Sequence, residues 1–165
     1  MDVEVRPMRP GDEVDVVEVS RAADTLFAEV GLELPPDDPR ELFAHVEHTL
    51  VAVDPGAGRV RGLAATVTVD GCAHLEQLAV DPVHGRRGIG SVLLEEVCAR
   101  ACAAGRGAIT LTTFRDLAWN GPWYEQRGFD VLPRAAWGPD LVGLWEAEAS
   151  IRVAPRVVMV RTLAG

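Results

Sequence analysis

At 165 residues the chain has room for one domain of ordinary size, 1–165, and 48% hydrophobic content is enough for a packed core. The net charge of −9, from 25 acidic and 16 basic residues, with no basic run beyond Arg86-Arg87, argues against a nucleic-acid binder. No stretch approaches the roughly 18 continuous apolar residues of a membrane span, and "MDVEVRPMRPGDE" has no basic segment followed by an apolar one, so the expectation is a soluble, cytoplasmic protein with no membrane partner.

The first element is a short strand in "VEVRP", leaving into a Pro/Gly turn. Asp12 or Asp15 can cap the next element, and Val16, Val19, Ala23, Phe27 and Val30 recur at helical spacing, predicting a helix over about 12 to 30. The paired prolines of "GLELPPDDPR" are expected to stop it. A shorter helix comes next, at roughly 39 to 48. "TLVAVD", "RVRGLAATVTVD" and "CAHLEQLAVD" read as three antiparallel strands over 49 to 81, and Asp70-Gly71 is a strong hairpin signal.

A helix begins after Gly88-Ile89-Gly90, with Ile89, Leu93, Val97 and Ala101 on one stripe and Leu94, Cys98 and Cys102 on the next. Glu96 and Arg100 lie outside both, at a favourable i,i+4 spacing. Gly105 can take the left-handed cap. "AITLTTF" is a buried strand. A short helix starts near Pro122, "FDVLP" is a strand, "PDLVGLWEAEA" a helix, and "RVVMVRTL" a last strand that could extend a sheet across two chains as a homodimer. The order β-α-α-β-β-β-α-β-α-β-α-β predicts an α/β (α+β) fold with a mixed, mostly antiparallel central sheet and helices on both faces.

Of the three cysteines, Cys98 and Cys102 share a helix face, but no second Cys or His pair stands at ligand spacing. They read as packing residues in a reducing compartment.

The stretch "LEQLAVDPVHGRRGIGSVLLEEV" runs strand, loop, helix. Glycine has no Cβ, so the backbone at Gly88 and Gly90 can approach a ligand closely. The first amides of the helix lack internal partners, and its dipole favours an anion. Arg86 and Arg87 add charge. Together these make an anion seat. It is neither GxxxxGK[ST] nor GxGxxG, because Leu93 stands at the third glycine. That disfavours a nucleotide-binding regulatory domain.

This stretch, followed by "WNGPWYEQRGF", resembles the GCN5-related N-acetyltransferase (GNAT) superfamily. The first segment is similar to its acetyl-CoA motif and the second to its downstream Asn, aromatic-Tyr, Gly-Phe motif. The element order matches from near residue 3 to about 134. The resemblance implies acetyl-CoA in a cleft where the strands at 72–81 and 108–113 splay apart. The pantetheine arm would pair with the backbone at Leu78, Ala79 and Val80. The diphosphate would sit on the amides of Arg86, Arg87, Gly88, Ile89, Gly90 and Ser91. Asn120 would face the cofactor arm, and Tyr124 would lie near the sulfur. Gly85 departs from the family pattern, standing where members carry Gln or Arg, and Arg86 could replace that side chain from one position along.

Acetyl transfer needs a base to take a proton from the amine. Strict alternation would put His74, Glu76, Leu78 and Val80 on one face of their strand and Leu75, Gln77, Ala79 and Asp81 on the other. A charged Glu76 there points into a solvated cleft or finds a partner. The resemblance favours Glu76 as base through water; His74 is the alternative base. Tyr124, the one tyrosine in the chain, would protonate or hydrogen-bond the leaving sulfur. A covalent route through Cys72 has no assigned base. Trp119, Trp123, Trp137 and Trp145, with Glu29, Glu33, Asp37 and Asp38, are candidates for shaping an acceptor pocket, although a solvated Asp/Pro loop explains the acids as well.

The implied activity is acetyl transfer from acetyl-CoA (coenzyme A) to a primary amine of a small molecule or peptide. The rival is a non-catalytic acyl-CoA-binding sensor, which would not need Glu76 and Tyr124.

Overall fold

The computed structural model describes residues 2–85 and 87–164. Its centre is a seven-stranded sheet in the order β1-β2-β3-β4-β5-β7-β6, built from β1 (Glu4–Pro7), β2 (His48–Asp54), β3 (Arg59–Val69), β4 (Cys72–Val80), β5 (Ala108–Phe114), β6 (Asp130–Val131) and β7 (Arg156–Thr162). Every pairing is antiparallel except that of β4 with β5. The β3–β4 turn is the expected tight hairpin, with Asp70 and Gly71 both at positive φ (50° and 76°).

Helix α1 (Glu13–Glu29) covers one face, where Val16 and Val19 pack on Val51, Val53, Leu63 and Ala79. Helix α3 (Ile89–Ala103) covers the other, where Leu93, Leu94 and Val97 pack with Leu50, Ala64, Leu75 and Ile109. Gly62 lets α3 lie close, since a Cβ there would come within 2.9 Å of Leu93 Cδ1. Helix α2 (Pro39–His45) is capped by the Asp38 carboxylate, which accepts from the Arg40 amide at 3.0 Å. Helix α4 (Gly121–Glu125) follows β5. Helix α5 (Pro139–Ala147) buries Leu141 against Val69 and Val158. The Glu96–Arg100 pair forms at 2.9 Å, and Gly105 adopts φ +82° beyond α3.

Three expectations change. Helix α1 stops at Gly31 (φ +79°), well before Pro35, because a left-handed glycine already closes the last turn. The carboxylate of Asp12 does not cap α1; it accepts from Arg6 Nη1 and from the Arg9 amide, both at 2.7 Å, and closes the preceding turn. Strand β7 lies between β5 and β6 rather than at the sheet edge, although β6 pairs only with its Met159 and Val160.

Candidate active site

Strands β4 and β5 share only two register pairs, Ala73 with Ile109 and His74 with Thr110. Beyond them the strands separate around a cleft of about 900 Å³. It is lined by β4 from Leu75 to Val80, by Leu111 to Thr113 of β5, by the start of α3 and by α4.

The alternation expected for β4 fails at one place. Ala65 faces Gln77 and Thr66 faces Leu75, so Glu76 is an extra residue, a β-bulge. Before the bulge Leu75 belongs to the α3 side; after it Leu78 and Val80 do, while Ala79 packs on the α1 side and Gln77 Nε2 donates to Ser20 Oγ of α1 at 2.8 Å. Hence Leu78 and Val80 do not share a face with His74, nor Gln77 and Ala79 with Leu75. The bulge turns an apolar pair toward the α3 half of the cleft and leaves Glu76 unpaired at its wall.

The α3 half carries the glycine loop and the start of α3. Gly88 (φ +81°) is the N-cap of α3 and offers no side chain to its amides; the first ladder bond is that of the Val92 amide to the Gly88 carbonyl, at 3.0 Å. Gly90 packs under Trp123, which a Cβ would meet at 3.4 Å. Arg127 ties α4 to this turn: Nε donates to Ser91 Oγ at 3.0 Å, Nη1 donates to the Trp123 carbonyl at 2.9 Å, and the guanidinium lies 3.7 Å from the Trp123 ring centroid. The expected Arg86 lies outside the described residues. Arg87 is exposed, reaches toward His84 Nδ1 at 3.5 Å, and is not part of the cleft wall.

Asn120 and Tyr124 stand where β5 hands over to α4. Thr113 Oγ1 donates to Asn120 Oδ1 at 2.8 Å, so the side-chain amide is held by its oxygen and its NH₂ group is free to donate. Gly121 makes this corner: a Cβ would lie 2.6 Å from the Arg115 carbonyl. Tyr124 is packed edge-on between Trp123 and Phe129 and lines the cleft; burial pushes its phenol pKa up, keeping it protonated and able to donate.

The α1 half is different in character. Glu76, Asp24, Phe27, Trp119, Thr112 and Arg156 line it. Burial and then the charge of Glu148, just beyond α5, raise the pKa of Glu76, making its carboxylate a better proton acceptor than an exposed glutamate. Burial and the nearby Asp37 raise that of Asp24 to about 6.

His74, the alternative base, is buried behind the cleft wall. Its Nδ1 is hydrogen-bonded to Thr110 Oγ1 at 2.7 Å, and burial pushes its pKa down to about 4. It locks β4 to β5 and does not reach the cleft. Trp137 and Trp145 pack against each other at a tilt, ring centroids 5.1 Å apart, around Leu141 and away from the cleft; Trp119 and Trp123 line it. Glu29, Glu33, Asp37 and Asp38 are exposed, and none lines the cleft. Four site residues escaped the sequence reading: Asp24, Arg127, Glu148 and Arg156. Arg127 had a signal, since it falls inside "WNGPWYEQRGF".

A family model described as an acetyltransferase (GNAT) domain matches residues 45–131. The chain belongs to the GNAT acetyltransferase family. The match takes in β2 through β6, and with them the β4, β5, α3 and α4 walls of the cleft, while Asp24, Phe27 and Arg156 lie outside it.

Solved structures share its fold. The N-acetylglutamate synthase from Neisseria gonorrhoeae, complexed with coenzyme A and N-acetyl-glutamate, superposes with a TM-score of 0.77 at 19% identity, covering 100% of this chain and 36% of that one. This acetyltransferase therefore spans about a third of the synthase. The ribosomal-protein-S18-alanine N-acetyltransferase from Escherichia coli gives 0.71 at 17% identity over 99% of this chain and 96% of that one. The PaiA N-acetyltransferase from Thermoplasma acidophilum, in complex with coenzyme A, gives 0.70 at 16%, over 98% and 99%. No helix among the described residues of the acetyltransferase is long and apolar enough to cross a membrane.

Proposed function

We propose that residues 1–165 form one N-acetyltransferase domain that moves the acetyl group of acetyl-CoA directly to a primary amine. The single observation that carries this reading is the two-sided cleft at the β4/β5 separation. One side offers helix amides at Gly88–Ser91 with no side-chain cap among the described residues; the other offers a half-buried carboxylate, Glu76; Tyr124 lines the same cleft. A pure binding module would need the first side only, which favours the enzyme over an acyl-CoA sensor.

The residues fit the donor. The free edge of β4 at Leu78, Ala79 and Val80 can pair with an amide-bearing arm, as a neighbouring strand would. The amides of Ile89, Gly90 and Ser91, at the positive end of α3, suit a diphosphate. Arg127 and the Asn120 NH₂ group flank that path. When bound, acetyl-CoA supplies the acetyl group as an activated thioester. Glu76 accepts a proton from the acceptor amine through water, and Tyr124 Oη donates a proton or strong hydrogen bond at the departing sulfur. The β-bulge gives Glu76 this role by removing it from the ladder register. The unpaired cysteines suit a reducing, cytoplasmic setting.

The test is calorimetry with acetyl-CoA and with ATP, followed by thiol release over a panel of amines. Acetyl-CoA binding with amine-dependent thiol release supports transfer. Tight binding with no amine-dependent release supports the sensor, and binding of ATP alone defeats both.

A further inference from the structure

The α1 half of the cleft holds a cation that makes no salt bridge among the described residues. Arg156 opens β7 and lines the cleft on the side of Glu76 and Asp24. Strand register fixes that side: Arg156 pairs with Phe114 of β5, two residues before Val158, which packs with Val69 and Leu141 away from the α3 core. The guanidinium lies 4.5 Å from the Phe114 ring centroid. Its Nη2 donates to Thr112 Oγ1 at 3.2 Å; its Nε is buried with no partner; its Nη1 has no protein partner among the described residues.

The nearest acid does not pair with it. The Thr112 hydroxyl donates to both oxygens of Glu148, at 2.8 and 3.0 Å, and so stands between the two charges. By contrast Arg61, whose Nε is also buried and unpartnered, has Asp54 at 3.7 Å. A desolvated guanidinium without a counter-ion is costly in free energy. In a chain of net charge −9 an acid could readily have been supplied. The arrangement instead presents one fork with donors to spare, steadied by Phe114 and Thr112.

We propose that the amine acceptor also carries a carboxylate, and that Arg156 receives it while the amine lies toward Glu76 and Asp24. The acceptor class is then a small amino acid rather than a polyamine or simple alkylamine. A carboxylate suits the fork: of the charges acting on Arg156, the acid Glu148 opposes it and the cation Arg152 adds to it, which leaves the site matched to one negative charge. The planar fork matches a carboxylate's two oxygens. This inference rests on the acetyl-transfer reading for the amine's role, but not for the carboxylate contact itself.

The experiment compares free amino acids with their own carboxamides on the unaltered protein, by thiol release with acetyl-CoA and by calorimetry on the protein loaded with coenzyme A. At least one amino acid should exceed its carboxamide tenfold or more in kcat/KM, although the carboxamide's amine deprotonates more easily. Arg156→Gln should bring that ratio close to one, and Arg156→Lys should keep part of it. Selective binding of the acid without any thiol release would uphold the carboxylate site and defeat acetyl transfer. Equal use or equal binding of acid and carboxamide, or binding of neither, overturns the inference whether or not the Arg156 variants fold.

Discussion

Asp70 and Asp140 exchange hydrogen bonds: the Asp140 amide donates to Asp70 Oδ1 at 2.8 Å and the Asp70 amide donates to Asp140 Oδ2 at 3.0 Å. The Leu141 amide adds a bond to Asp70 Oδ2 at 2.9 Å. A hairpin tip thus caps the first turn of α5 from 70 residues away in sequence. Gly138 makes room, since a Cβ there would lie 2.4 Å from the Asp70 carboxyl carbon. Because Glu148 closes the far end of α5, this clasp also fixes the acid whose charge acts on Glu76.

Asp70→Ala should therefore cost about 2 kcal/mol in denaturant unfolding, roughly half from the lost cap and half from a side chain other than Asp, Asn or Gly at positive φ. Asp70→Asn should cost less, since Asn tolerates that backbone and keeps one acceptor oxygen. Equal losses for the two variants would show that the cap contributes nothing.

Tyr124→Phe should lower kcat at least tenfold, about 1.4 kcal/mol in the barrier, with little change in calorimetric affinity for acetyl-CoA. The ring packing against Trp123 and Phe129 is retained, so the loss reports on the hydroxyl alone. Unaltered turnover would remove Tyr124 from the chemistry.

Glu76→Gln should lower kcat/KM by about a hundredfold or more, the usual scale for a general base. In the unaltered protein the acidic limb of kcat/KM should fall at a pH above the ordinary glutamate pKa, because burial and Glu148 both raise it. Glu148→Gln removes a like charge, so the limb should move to lower pH. A shift to higher pH would mean that Glu148 acts through something other than its charge.

Asp24 and His74 should pull stability in opposite directions. Between the ordinary aspartate pKa of 3.8 and its folded value of about 6, Asp24 binds more protons folded than unfolded, so its contribution falls as pH rises. His74, depressed from 6.5 to about 4, binds more protons unfolded, so its contribution rises with pH over that window. Asp24→Asn should leave the His74 slope unopposed: thermal melts should show a steeper gain in Tm from pH 4 to 6 and a higher Tm at pH 8. A parallel offset at every pH would contradict the buried titration.

The sequence carried most of the frame and part of the site. Strands β2 to β5 and helices α1 and α3 were legible because long apolar periodicities bury against a single partner layer. The site was less legible where a local rule is overridden by neighbours. A period-two reading of β4 cannot see that Glu76 is squeezed out of register, because a bulge belongs to the pairing with β3. "FDVLP" yields a strand of two residues, since β6 is limited by what β7 leaves for it. Asp24, Glu148 and Arg156 come from α1, the end of α5 and β7. Nothing in their spacing hints that the fold gathers Asp24 and Arg156 into one cleft and sets Glu148 against its wall.

The β4/β5 junction has a mechanical consequence. Four strands lie to one side of it and three to the other, joined like two leaves of a book along a spine of two residue pairs and the His74–Thr110 bond. Glu76 and the start of α3 ride on one leaf; Tyr124 and Arg156 ride on the other. The opening angle at that spine therefore sets how far Glu76 stands from Tyr124 and Arg156, and His74, buried behind the cleft, holds that spacing from outside it.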